Sequence, residues 1–117
     1  MTKRGNKRKF GRPRDQRAAF VRSLENSLIA KGRITTTEAR AKTLRTSVEK
    51  LITIAKKTNT VVAQRLLVQR VNAASAKKLV TEIGPSLEDR KGGYTRIMHL
   101  PPRVSDGARM VIIEFVS

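Results

Sequence analysis

The side chains in this sequence that could do chemistry are cations. Residues 1–22 carry nine of them, Lys3, Arg4, Lys7, Arg8, Lys9, Arg12, Arg14, Arg17 and Arg22, against the single carboxylate Asp15. Their chemistry is phosphate neutralisation: cations set against a polyanion release its condensed counterions, and guanidinium groups add forked hydrogen bonds to phosphate oxygens. After Met1, Phe10 is the one large apolar residue before Pro13, placed among cations where an aromatic ring can stack or wedge, and Gly5, Gly11 and Pro13 interrupt any regular element. Seven cations in residues 1–14 repel one another and bring almost no apolar surface, so the run cannot offset its own ordering entropy. It is expected to be an extended arm in the free protein, ordered only against phosphates.

A second stretch is Gly92-Gly93-Tyr94-Thr95-Arg96. Paired glycines permit a positive φ or a close backbone approach, a tyrosine can stack on a base or cap a core, and an arginine can fork onto phosphate. Here Tyr94 is expected to be mainly structural and Arg96 to reach the nucleic acid. Other chemistry is scarce. There is no Cys, which excludes disulfides, thiolate metal sites and thiol catalysis, and the single His99 has no second His and no nearby carboxylate in the sequence. No nucleophile motif, phosphate-binding P-loop or zinc spacing occurs, so no cofactor, metal or small-molecule substrate is expected.

The elements that must carry these residues follow from periodicity. The chain has 117 residues and a net charge of +17, of which +8 falls in residues 1–22, +5 in 23–57, and +2 in each of 58–90 and 91–117. Positive charge therefore fades toward the C-terminus. Leu, Ile, Val and Phe make up 30 residues, above the level at which highly charged chains stay disordered. No apolar run approaches the length that spans a bilayer, and no apolar leader follows the first residues, so neither a membrane partner nor secretion is expected.

Asp15 reads as an N-cap, followed by Phe20, Val21, Leu24, Leu28 and Ile29 on one helical face and by Gly32 as terminator. Arg17 and Arg22 then extend the arm's field onto a rigid element. Arg33 to Thr36 is β-prone, and Thr35-x-x-Glu38 has the capping-box pattern, with a start one or two residues later equally open. Ala41, Leu44, Val48, Leu51, Ile52 and Ala55 stripe the next helix, whose remaining positions include Arg40, Lys42, Arg45 and Lys50. Val62, Leu66, Leu67 and Val71 predict a third helix. Ala76, Leu79, Val80 and Ile83 predict a fourth, stopped by Gly84-Pro85. Tyr94 to Leu100 and Met110 to Val116 read as strands of an antiparallel hairpin, with the Ile34 strand as third member. The expected architecture is α+β: a basic arm over residues 1–14 and one domain over 15–117, with about four helices on a small three-stranded mixed sheet.

The order of these signatures, Ile34-Thr35-Thr36-Thr37 leading to Ala41-Lys42, then Leu51-Ile52-Thr53-Ile54-Ala55-Lys56, Glu82-Ile83-Gly84-Pro85, Gly92-Gly93-Tyr94-Thr95-Arg96-Ile97 and Ile113-Glu114-Phe115-Val116, closely resembles the family of bacterial large-subunit ribosomal protein seventeen. The resemblance covers about residues 11–117. It implies a structural protein of the cytoplasmic ribosome, bound to 23S ribosomal RNA near the polypeptide exit tunnel, beside neighbouring large-subunit proteins and without catalytic residues. By that resemblance the arm (Lys3, Arg4, Lys7, Arg8, Lys9, Phe10, Arg12, Arg14), the first helix (Arg17, Arg22), Lys42 and the turn (Gly93, Tyr94, Arg96) are the expected RNA contacts, and the basic face of the second helix adds Arg40. The segment Pro101 to Gly107 departs from the family's shorter Arg-x-Gly-Asp type turn.

Three other functions would draw on the same residues. A small DNA-binding protein would share the basic, helix-rich character and would prefer duplex DNA to folded RNA. An RNA-processing enzyme would have to use His99 and Tyr94. A membrane-surface module lacks here the bulky aromatic helix face that such a role requires.

Overall fold

The structure is a computed structural model and describes residues 14–57 and 60–116. The arm from Lys3 to Pro13, with Phe10, and the Thr58-Asn59 break lie outside the described residues.

Helix α1 (Arg14–Lys31) packs Leu28 and Ile29 into the core and ends where Gly32, at φ +81°, donates its N–H to the Leu28 carbonyl at 2.7 Å. A side chain at that φ would be strained, which is why glycine terminates the helix there. The helix opens at Arg14, so Asp15 lies within its first turn rather than at the cap. An acidic residue suits the positive helix end at either position.

Strand β1 (Arg33–Thr37) passes directly into α2 (Glu38–Lys57). The cap is Thr37, whose Oγ1 accepts the Arg40 N–H at 3.4 Å, two residues later than the capping-box pattern first suggests. Along α2, Ala41, Leu44, Val48, Leu51 and Ile52 are fully or almost fully buried, as their spacing predicts. This helix is the spine of the fold and touches α1, α3 and all three strands.

Helix α3 (Thr60–Leu67) is apolar at five of its eight positions, Val61, Val62, Ala63, Leu66 and Leu67, more than its inner face takes up, so periodicity alone does not select the buried ones. Ala63, Leu67 and the following Val71 are buried, while Val62 and Leu66, expected inside, stand 46% and 41% exposed. Helix α4 (Ala73–Lys78) is capped by Asn72, whose side chain accepts from Ser75 N–H at 2.7 Å. It does not stop at Gly84-Pro85. It runs on through a π-helical turn (Leu79–Ile83) into a last turn, α5 (Gly84–Ser86).

The wider turn solves the proline problem. Pro85 has no N–H for an α-helical ladder, and its ring would press on the carbonyl four residues earlier; the π turn shifts the bonding, with Gly84 N–H reaching back to the Leu79 carbonyl. Gly84 also lies against α2, where a Cβ would sit 2.9 Å from the Leu79 carbonyl oxygen and 3.5 Å from Ala55 Cβ. Continuing the helical path delivers Leu87, 1% exposed, to the core. Tertiary burial overrides the local stop signal.

Strands β2 (Thr95–His99) and β3 (Met110–Phe115) complete a sheet of order β1-β3-β2. The sheet is antiparallel throughout, not mixed: residues 100–109 connect β2 to β3 as a long-tipped hairpin, and β1 enters from the other side in the antiparallel sense. In register, Ile34, Ile113 and Ile97 form one cross-strand row that faces the helices. Because side chains alternate, the adjacent row of Arg33, Glu114 and Arg96 must lie on the opposite face.

Candidate nucleic-acid interface

The expected contact residues fall on three surfaces, not one. On α1, Arg22 is exposed and donates to the Gln69 carbonyl at 2.9 Å, bracing the helix against the turn after α3. Beside it Ala18, Ala19, Ser23, Asn26 and Ser27 line an open cleft of about 540 Å³ with Arg22. The small side chains there leave the helix open to close approach. Arg17 is half-buried on the same helix. Arg14 belongs to α1 by its backbone.

Beneath Arg22 lies Glu25, 7% exposed. Burial pushes its carboxyl up to about 7, against the pull of Arg70 and Arg22, which favour the charged form.

The second surface is the start of α2. Arg40 lies over the Phe20 ring, 4.9 Å from its centroid, and so ties α2 to α1 while partly exposed. Lys42 is exposed, with Nζ 3.6 Å from Glu38 Oε2 one turn earlier. Arg109 approaches the other Glu38 oxygen at 4.0 Å with a side chain 82% exposed. Arg109 was not among the expected contacts. Its place beside the α2 terminus depends on the β3 pairing, through Glu38 N–H bonded to the Arg109 carbonyl at 2.9 Å.

The third surface is the outer face of the sheet. Arg96 stands there, 57% exposed, with Nε donating to Glu114 Oε2 at 2.6 Å. From the other edge strand, Arg33 donates to Glu114 Oε1 through Nη2 at 2.6 Å and Nε at 3.1 Å. The two guanidinium groups hold the Glu114 carboxyl below the usual carboxylate range, Arg96 contributing most. Arg33 and Glu114 were missed from sequence. The only signal is that each neighbours a core isoleucine and so takes the opposite parity, which becomes informative once the register is known.

The Gly92-Gly93-Tyr94 turn does something different from display. Gly93, at φ +62°, makes the turn that a side chain would resist, and Tyr94 is 4% exposed. Lys56 Nζ donates to the Tyr94 hydroxyl at 3.0 Å, sits 4.6 Å from the ring centroid and also bonds the Arg90 carbonyl. The hydroxyl itself donates to the Arg90 carbonyl at 3.4 Å. Tyr94 therefore offers no open ring for base stacking. Its contribution is to fasten the turn to α2, immediately before the strand that carries Arg96.

Nothing in this arrangement resembles a reaction centre. His99 is exposed on β2, and no group of three metal-ligating side chains occurs among the described residues. No described helix is long and apolar enough to cross a membrane.

Comparison with known proteins points in one direction. A family model described as Ribosomal protein L17 matches residues 20–116. The large ribosomal subunit protein bL17 of Thermoanaerobacter sp. (strain X514) is 50% identical over 109 residues, spanning 93% of this chain and 97% of the relative. The bL17 proteins of Caldanaerobacter subterraneus subsp. tengcongensis and Clostridium botulinum (strain Loch Maree / Type A3) are each 45% identical over 109 residues, spanning 93% of this chain and 97% and 96% of their own.

Proposed function

The chain belongs to the ribosomal protein L17 family, a family of structural proteins and not of enzymes, and we propose that it seats in the large ribosomal subunit by embedding its basic arm and basic faces in folded 23S ribosomal RNA near the polypeptide exit tunnel. The observation that carries this reading is charge segregation. A net +8 in residues 1–22 runs from the arm onto the first half of α1, where Arg22 stands beside a cleft of small residues. Among the described residues, Glu38 and Glu114 are themselves held by cations, which leaves the positive field dominant on those surfaces.

A-form RNA hides its base edges in a deep, narrow groove and displays phosphates and 2′-hydroxyls. A protein bound mainly by cations therefore selects a folded RNA shape, not a base sequence. In this reading the rigid domain fixes where the arm enters, and the arm supplies most of the electrostatic free energy. Neighbouring large-subunit proteins are the expected partners of surfaces that carry little charge, such as α3.

Gradient sedimentation of lysate tests the assignment. The protein should travel with the large particle at low salt and resist release until salt is high. A protein found wholly in the light fractions at low salt would contradict it.

A further inference from the structure

We propose that Arg33, Glu114 and Arg96 form a phosphodiester clamp on the outer face of the sheet, a second anchor for ribosomal RNA apart from the arm. The proposal rests on the RNA-binding reading above and adds a site to it. The three residues come from the three strands of the sheet, paired in register as Arg33↔Glu114 and Glu114↔Arg96. Strand spacing sets the two arginine backbones roughly 10 Å apart, and the single carboxylate between them draws both guanidinium groups inward.

The exposure pattern gives the clamp its direction. The Glu114 side chain is 10% exposed, while those of Arg33 and Arg96 are 62% and 57% exposed. The acid thus lies underneath and the cations above it. A guanidinium carries five N–H groups. Glu114 takes two from Arg33 and one from Arg96, so most of the donors of both side chains are not used by it. Two cations on one ionised carboxylate also leave a net charge of +1, which a phosphodiester anion would balance. Along the same face the next cross-strand row is Thr35, Ile112 and Met98, where Met98 is 36% exposed; this gives an apolar pad beside the charged pair, suited to a ribose or base face. Glu114 is a positioning residue here: it aims the forks and would not touch the RNA.

The test uses the full chain and protein-free 23S ribosomal RNA at one fixed salt concentration. The pair Arg33→Lys with Arg96→Lys keeps the charge and loses the planar forks, and should weaken binding about tenfold. Glu114→Gln raises the net positive charge, yet should weaken binding about threefold or more because the guanidinium groups lose their common tether. Simple electrostatic attraction predicts the reverse sign for Glu114→Gln and no change for the lysine pair. Circular dichroism melts establish that each variant is folded at the assay temperature, and if Glu114→Gln is not, the lysine pair decides. A lysine pair that binds like the parent, or a folded Glu114→Gln that binds more tightly, overturns the clamp. Failure of the parent chain itself to bind would instead overturn the RNA-binding reading.

Discussion

Removal of residues 1–13 is expected to weaken binding to 23S ribosomal RNA by roughly 10³- to 10⁴-fold near 0.15 M salt, with the helical circular dichroism signal almost unchanged. The segment holds six cations, Lys3, Arg4, Lys7, Arg8, Lys9 and Arg12, and no acid. At a counterion-release exponent of about 0.7–0.9, each phosphate contact contributes a factor of roughly four to five at that salt, and six contacts multiply to about 10⁴ before the entropy of ordering the arm is subtracted. The helices and strands described above all lie within residues 14–116, so the truncated domain retains every element that packs the core. Equilibrium binding of the two chains to the same RNA, with their spectra overlaid, checks both halves of the expectation. A truncated chain that binds within a few-fold of the full one would move the main anchor onto the folded faces.

The second large effect is on stability and comes from Glu25. Its carboxyl is 7% exposed and titrates near 7, raised mainly by burial, whereas in the unfolded chain it would titrate near 4.5. A folded-state value above the unfolded one means that the native state holds the proton longer. Below about pH 4.5 the group is protonated in both states and exacts no penalty. As pH rises from 4.5 to about 7 the unfolded state ionises first, so folding stability declines across that window, and above it the full cost remains. At about 1.4 kcal/mol per pH unit of difference this amounts to about 3 kcal/mol. Glu114 and Asp106 act in the other direction. Their carboxyls are held below the ordinary range, Asp106 at about 2 by Arg103, and their contribution is lost in acid as pH falls through those values. Stability should therefore be greatest near pH 5. Glu25→Gln should remove the decline between pH 5 and 8 and leave the protein about 2–3 kcal/mol more stable than the parent at pH 8. Urea titrations of both proteins at pH 5 and pH 8 measure this. Parallel behaviour of parent and variant at the two pH values would show that Glu25 is not the group responsible.

What could be read in the sequence was set by how local the determining interactions are. Helix α2 was legible because Ala41, Leu44, Val48, Leu51 and Ile52 keep strict helical spacing over about three turns. The α1 terminus was legible because Gly32 is a local signal. Helix α3 exists where expected and buries Leu67 and Val71 as its spacing predicts, but Val62 and Leu66 of the same stripe face out, since Val61, Val62, Leu66 and Val68 are as apolar as the buried positions and packing against the neighbouring helices selects among them. The passage through Gly84-Pro85 contradicted a reliable stop signal, because the burial of Leu87 and the close approach to Ala55 favour a π turn that no local rule anticipates.

The interface divides in the same way. Cations crowded in one segment announce a polyanion partner without any knowledge of the fold. The Arg33–Glu114–Arg96 cluster could not announce itself, because its members are 18 and 81 residues apart and meet only through strand pairing. Tyr94 was expected to be mainly structural while also counted among the RNA contacts. The structure gives it the structural part through Lys56 and the Arg90 carbonyl, and gives the exposed position to Arg96.

The salt dependence of binding to 23S ribosomal RNA tests the central claim most directly. With six to eight phosphates neutralised, a plot of log binding constant against log salt should fall with a slope of about −4 to −7, and removal of residues 1–13 should make it shallower by about 4–5. A slope near zero for the full chain, or the same slope with and without those residues, would contradict the account.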